Sequence, residues 1–219
     1  MPLPSNYVSN RAIVTQGGRV RILPSAVIHE TFIDPATSDT DGISASHAGA
    51  GSAGTTNMTI GGALASGGVA SLVPARNVII TVTHASAVVA MSGTITGTDR
   101  RGNVITEAWS VTATGTSKTF TGKKAFATIT SITEVVAADA SANTIIAGTG
   151  KVFGLQAPVS APAPIGEAED GAKPGTAGTL AIASDTGDTY GTYSPNTAPN
   201  GTHDYDIWYL SDSPEMAGA

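Results

Sequence analysis

Residues 74–155 read as short runs of Val, Ile and Thr interrupted by Gly, Asp, Asn and Lys. β-Branched residues suit the pleated, half-buried surface of a sheet, and Gly, Asp and Asn accept the backbone angles of tight turns. The pattern is therefore that of antiparallel strands joined by short connections. In 76–83, Val78, Ile80 and Val82 alternate with Ile79, Thr81 and Thr83, and the extra bulk of Ile79 suits a strand covered on both faces. The runs 91–98 and 103–112 flank Asp99-Arg100-Arg101-Gly102, the strongest hairpin signal in the chain. Ile105, Trp109 and Val111 share one parity, which makes Trp109 the expected centre of the core. Glu107 lies between them and must sit at the rim or be paired.

Residues 117–120 and 125–135 read as a further hairpin around Gly122-Lys123-Lys124. The three-residue spacing of Phe126, Ile129 and Ile132 implies either a bulge near Thr130-Ser131 or a helical turn, and the threonines favour strand. Residues 143–147 and 152–155 close the series around Gly148-Thr149-Gly150. About seven short strands in this span match the density of an immunoglobulin-like sandwich.

The flanks divide by composition. Residues 1–33 hold three extended pieces, 11–16, 19–23 and 26–32, with Gly17-Gly18 as a hairpin turn and Arg19-Val20-Arg21-Ile22 alternating charge with apolar bulk. A lone hairpin is marginal and has to dock on something. Residues 34–73 are so rich in Gly, Ala and Ser that an irregular connection is the default. Residues 74–156 form the central unit, 157–172 a Pro/Ala linker, and 173–219 an acidic appendix with candidate strands at 179–184, 189–194 and 205–210. The predicted fold is all-β: a central immunoglobulin-like or jelly-roll-like sandwich with an extended N-terminal arm and a small C-terminal β appendix.

Charge follows the same divisions. The net charge of −6 resolves into −1 over residues 1–75, +3 over 76–156 and −8 over 157–219. Only 5% of residues are aromatic, so the strands are held by many small side chains, and self-association is expected to supply further buried area. Four of the five tyrosines and one tryptophan lie in the acidic appendix. Tyr190, Tyr193, Tyr205, Trp208 and Tyr209 are accordingly expected either to pack on the main unit or to form a partner interface.

Chemical motifs are few. Cysteine is absent, which removes thiolate metal sites and cysteine nucleophiles. Gly49-Ala50-Gly51-Ser52-Ala53-Gly54 has the spacing of a dinucleotide loop and resembles a nucleophile elbow, but it lacks the preceding strand and following helix that both require. Asp34, Asp39 and Asp41 with Gly42, and Asp185 with Asp188, suit turns better than calcium. His203, Asp204 and Asp206 suggest a metal or acid/base set, although strand alternation would bring together only the two carboxylates. His29, His47 and His84 have no partner implied by spacing. Arg100-Arg101 and Lys123-Lys124 read first as solvated turn tips and second as contacts to an acidic protein surface. Without aromatic interleaving they do not make a nucleic-acid face. No cofactor is expected. The first residues lack a basic stretch followed by an apolar run, and no run approaches the ~18 apolar residues of a spanning helix, so neither a secretory signal nor a membrane contact is expected.

The residues 74–80, 93–99 with Gly102-Asn103 and Glu107, 122–126 through Thr130-Ser131-Ile132, and 148–155 together resemble a module of tailed-bacteriophage structural proteins, and are most similar to head decoration (cement) proteins. The likeness covers about residues 60–156. It implies a virion protein on the outer surface of the capsid, assembled in the host cytoplasm, commonly a homotrimer that binds the major capsid protein and bridges neighbouring capsomers without chemistry. On that reading Arg11, Ile13, Val14, Arg19, Val20, Arg21 and Ile22 meet the capsid or an adjoining subunit. The alternative is a tail or surface accessory module that binds host glycans through the C-terminal aromatics.

Overall fold

The computed structural model describes residues 11–16, 19–24, 26–183, 187 and 190–211. Along the chain the strands are β1 (Arg11–Gln16), β2 (Arg19–Pro24), β3 (Ala26–Phe32), β4 (Ser44–Ala48), β5 (Gly54–Asn57), β6 (Ala65–Ser66), β7 (Val69–Thr83) and β8 (Met91–Thr98). They continue as β9 (Val104–Val111), β10 (Ser117–Val136), β11 (Thr144–Gly154), β12 (Gly166–Glu169), β13 (Thr179–Ala181), β14 (Thr192–Ser194) and β15 (Tyr205–Ser211). The protein is all-β, and every strand pairing is antiparallel.

Ten strands make one sheet, in the order β13-β14-β11-β7-β10-β8-β9, with β4 on β11, β5 on β10 and β6 on β7. A strand of 20 residues such as β10 is too long to stay straight in a domain of this size. It bends at register shifts between Thr121 and Ala125, Phe126 and Thr128, and Ile129 and Ser131. Bulges sharpen twist and bend the bulged strand, so the sheet curls back on itself as a sandwich-like half-barrel around Ile80, Ile95, Phe126, Ile129, Ile132 and Ile145. Trp109 is 2% exposed in this core, as its parity implies, and its Nε1–H donates to the Thr133 carbonyl at 2.9 Å.

Two expected breaks instead lie inside long strands, the first at a bulge and the second just before one. Gly122-Lys123-Lys124 does not reverse the chain, because Glu107 Oε1 accepts the N–H groups of Lys123 (2.6 Å) and Lys124 (3.3 Å). The Gly122 carbonyl is taken by Asn77 Nδ2 at 2.8 Å. Gly148-Thr149-Gly150 likewise lies within β11, where the other end of the same amide, Asn77 Oδ1, accepts the Val152 N–H at 3.0 Å. One fully buried side chain thus satisfies the backbone groups that both bulges strand. The expected bulge near Thr130-Ser131 is present.

The Gly-rich segment 34–73 is ordered by packing rather than by propensity. It carries β4, β5 and β6 and buries Ile43, Met58, Ile60 and Leu72 in the main core. A Cβ on Gly62 would lie 2.3 Å from the backbone of Asp41 and Gly42, and one on Gly148 would lie 1.9 Å from the Asp39 carbonyl. Only glycine allows chain segments to approach this closely.

A second core joins β3 to the C-terminal strands. β15 lies between β12 and β3 in a three-stranded sheet, with Tyr205 opposite Phe32 and Ser211 opposite Ala26. The inner face of this sheet packs Phe32, Tyr205, Ile207 and Tyr209 against Phe153, Leu155, Leu180 and Tyr193. Ala157 and Val159, from the expected linker, are buried here too. The appendix is tied to the body by this core and by β13–β14, which extend the main sheet from β11.

Candidate interaction surfaces

The N-terminal hairpin pairs as its alternation implies, with Gln16 opposite Arg19 and Ile13 opposite Ile22. It forms a two-stranded sheet of its own, and the side chains of Arg11, Ile13, Val14, Arg19, Val20, Arg21 and Ile22 lie outside the described residues. Gly17-Gly18 and the pair Asp185 and Asp188 lie outside them too.

Where β8 turns into β9, Asp99 closes the hairpin by accepting the N–H groups of Arg101 and Asn103 at 2.8 and 2.9 Å. The tip is docked rather than solvated. Arg100 pairs with Glu30, which is 5% exposed and also accepts the Tyr209 hydroxyl and the Gln156 N–H, both at 3.2 Å. A buried carboxylate is tolerable only with such partners. Arg101 lies over the Tyr190 ring at 4.5 Å, Arg100 over Phe32 at 5.7 Å and Arg76 over Phe153 at 5.2 Å, so three cations of the main sheet rim the aromatic core. The acidic surface that Arg100 meets belongs to the same chain.

The C-terminal aromatics divide accordingly. Tyr193, Tyr205 and Tyr209 are fully buried and Tyr190 is 9% exposed, so these four pack within the chain instead of facing a partner. Burial, reinforced by Glu167, pushes the Tyr193 hydroxyl far above its ordinary range, and burial with Glu30 does the same to Tyr209. Burial, with Glu169 and Asp170 adding to it, pushes Tyr205 up to about 12.

Trp208 alone turns outward. Its ring stacks on His29 with centroids 4.4 Å apart and planes 3° from parallel. Beside it Asp206 accepts the Thr31 hydroxyl at 2.5 Å and holds His29 Nε2 at 2.8 Å, and the Thr31 hydrogen bond foremost keeps its carboxyl below the usual carboxylate range. The set His203, Asp204 and Asp206 is therefore split. His203 Nδ1 sits 2.6 Å from Asp170 Oδ2 and 3.8 Å from Glu169 Oε1, and the Asp170 hydrogen bond raises the imidazole pKa. Glu169, Asp170 and His203 have the nitrogen and oxygen donors of a divalent-cation site, but the direct Asp170–His203 hydrogen bond makes them an ion pair as they stand. Asp204 instead accepts the Asp34 N–H at 2.9 Å.

No protein-family model, curated protein or solved structure matches the chain.

The remaining motifs resolve as structure. Gly49 donates its N–H to the Asn143 carbonyl, Ala50 accepts from Ala140, and no helix follows Gly54, which starts β5; neither phosphate loop nor nucleophile elbow is built. Asp39 accepts the Asp41 N–H at 3.1 Å in a turn. His84 Nδ1 accepts the N–H groups of Ser86 and Ala87, and His47 Nε2 faces the buried Glu134 carboxylate at 3.7 Å. Glu134 also accepts the Thr56 hydroxyl at 2.8 Å, a pairing across β10 and β5 that no spacing in the sequence signals. Among the described residues no helix is long and apolar enough to cross a membrane.

One apolar feature was missed by periodicity. Near the C-terminal end of β3, Phe32, Ile33, Leu72, Val73, Pro74 and Ala127 line a groove of about 330 Å³, with Ile33 72% and Val73 90% exposed. Its carboxylate neighbour Asp34 is linked through Asp204 to Asp170, whose Oδ1 accepts the Asp204 N–H at 2.9 Å.

Proposed function

We propose that this protein is a structural component of a phage virion, a decoration protein on the outside of the capsid that ties neighbouring capsomers of the major capsid protein together. The observation that carries the reading is the β1–β2 hairpin. It is a two-stranded sheet separate from the other two, its sequence holds three arginines and no acidic residue, and the chain that follows is fastened by two cores. A ribbon of two strands is marginal in water and is completed by another surface. The resemblance of residues 60–156 to decoration proteins supports taking that surface to be the capsid or an adjoining subunit.

In this reading the mechanism is mass action without chemistry. A subunit that binds the assembled shell and not its dissociated parts stabilises the shell. Three copies in a homotrimer convert weak single contacts into avid ones. Removing residues 1–25 should abolish attachment to purified heads while leaving the far-ultraviolet spectrum of the body unchanged. Full occupancy by the truncated protein, seen by electron cryomicroscopy, refutes the reading.

A second reading draws on the half-exposed Trp208–His29 stack with Asp206 and Thr31 beside it, which offers a sugar ring edges and hydrogen-bonding groups, the Trp208 faces being covered by His29 and Gly166. Binding on a glycan array that Trp208→Ala removes would support a host-surface module instead.

A further inference from the structure

We propose that the groove at the C-terminal end of β3 receives the β1–β2 hairpin of a second copy of this chain. The proposal rests on the self-association in the reading above and supplies its contact. Val73 and Ile33 are the two most exposed large apolar side chains of the groove, and burying a valine or isoleucine is worth roughly 1.5–3 kcal/mol each. Two carboxylates stand at one edge: Asp34 follows Ile33, and its N–H donates to Asp204. Asp170 and Glu169, beyond Asp204, already face His203 and add little. Arg100, the cation that lines the groove, is already paired with Glu30. The surface therefore calls for an occupant that is apolar and basic.

The segment 11–24 has that composition. It holds Arg11, Arg19 and Arg21, no acidic residue, and Ile13, Val14, Val20, Ile22 and Leu23. Charge complementarity of this kind selects the partner and orients it. Geometry selects a second copy over the same one. The hairpin is attached at Ala26, whereas the groove lies at the Phe32 end of β3, about 20 Å away at the usual rise per residue. β2 does not pair with β3, whose neighbour is β15, so the hairpin is not laid back along β3 toward the groove. Donor and acceptor are different patches, so the contact can be made reciprocally by two copies or passed head-to-tail around a closed ring, and the trimer of the proposed function requires the second.

The absence of cysteine allows a clean test on the full-length chain. Val73→Cys would be mixed in turn with Ile13→Cys, Val20→Cys and Ile22→Cys under mild oxidation, with light scattering on each mixture. An oligomer with a disulfide between the two different variants is the expected result. An oligomer with no such link in any mixture, or with Val73→Cys linking chiefly to itself, overturns the docking while leaving self-association standing. A monomer at all concentrations overturns both. Val73→Asp, at a solvated position, should weaken association by at least about tenfold, and Asp34→Asn with Asp204→Asn by about tenfold at low salt and less at high salt. Unchanged association in both variants, with unchanged circular dichroism, also refutes the contact.

Discussion

The two cores of this protein are built by opposite rules. The larger is aliphatic, with Trp109 and Phe126 its only fully buried aromatic residues, and it is drawn from a single continuous span between Ile43 and Ala147. The smaller is aromatic, stacks Phe32 on Phe153 at 4.6 Å, and is assembled from residue 32, residues 153–159 and residues 180–209. The first closes because one sheet curls on its own bulges. The second closes because Arg76, Arg100 and Arg101 reach from the main sheet to the rings and to Glu30. A core made from neighbouring strands depends on side-chain bulk and bulge geometry, whereas one made from distant segments depends on a few polar fastenings.

The largest effect should come from the aliphatic side. Trp109→Ala removes a buried ring and its hydrogen bond, and should cost about 3–5 kcal/mol in urea unfolding, with both cores lost together. If the tyrosine signal of the second core outlasts the first, the cores are independent and the comparison fails.

Arg100→Met tests the fastening. It leaves the Glu30 carboxylate buried with only the Tyr209 hydroxyl and Gln156 N–H, and should cost roughly 2–4 kcal/mol, the lower end reflecting the part of Arg100 that solvent reaches. Hydrogen exchange should rise in β3 and β15 before it rises in β8. Equal exchange throughout would mean that the tip is not what holds the smaller sheet.

Asn77→Ala strands the Gly122 carbonyl and the Val152 N–H, and should cost roughly 1–3 kcal/mol. Its exchange signature belongs at the two bulges of β10 and β11, where the cores meet.

Alkaline titration separates the cores without mutation. A phenol whose folded pKa is raised contributes stability that is complete below its ordinary value of 10 and is lost as pH rises through the folded value. For Tyr205 that window runs from 10 to about 12. Phenolate absorbance should therefore show Tyr193, Tyr205 and Tyr209 ionising only as the second core opens. Free titration of Tyr193, Tyr205 and Tyr209 near 10 contradicts their burial.

The smallest effect is at His203. Its pKa is raised by Asp170, so the stabilising pair is complete below about 6.5 and fades as pH rises through the elevated value. His203→Ala should flatten that slope with little change in stability above neutrality, checked by thermal unfolding across pH.

Much of the main sheet was legible because alternation reports which face of a strand is covered. Val78, Ile80 and Val82, the β8–β9 hairpin, Trp109 and the Thr130-Ser131 bulge are all readable that way. Gly122-Lys123-Lys124 and Gly148-Thr149-Gly150 were not, because glycine serves a turn and a bulge equally and only the reach of Asn77 distinguishes them. The pairing of Glu30 with Arg100 was hidden for a different reason: it spans 70 residues and follows no period.

The local pattern of branched and small residues by itself determined that this chain makes antiparallel strands, where most of them begin, and which face of β9 is covered, since backbone sterics and alternation act between neighbours; the second face of β7, expected to be covered, is only half-buried at Ile79 and Thr81 and open at Thr83. Tertiary structure alone decided that segment 34–73 is ordered, that β3 joins the C-terminal strands, that four tyrosines turn inward, and that an apolar groove stays open at Ile33 and Val73. Those outcomes depend on which distant groups meet, and hydrogen bonds, close backbone approach and charge pairing carry no signature in the spacing of residues.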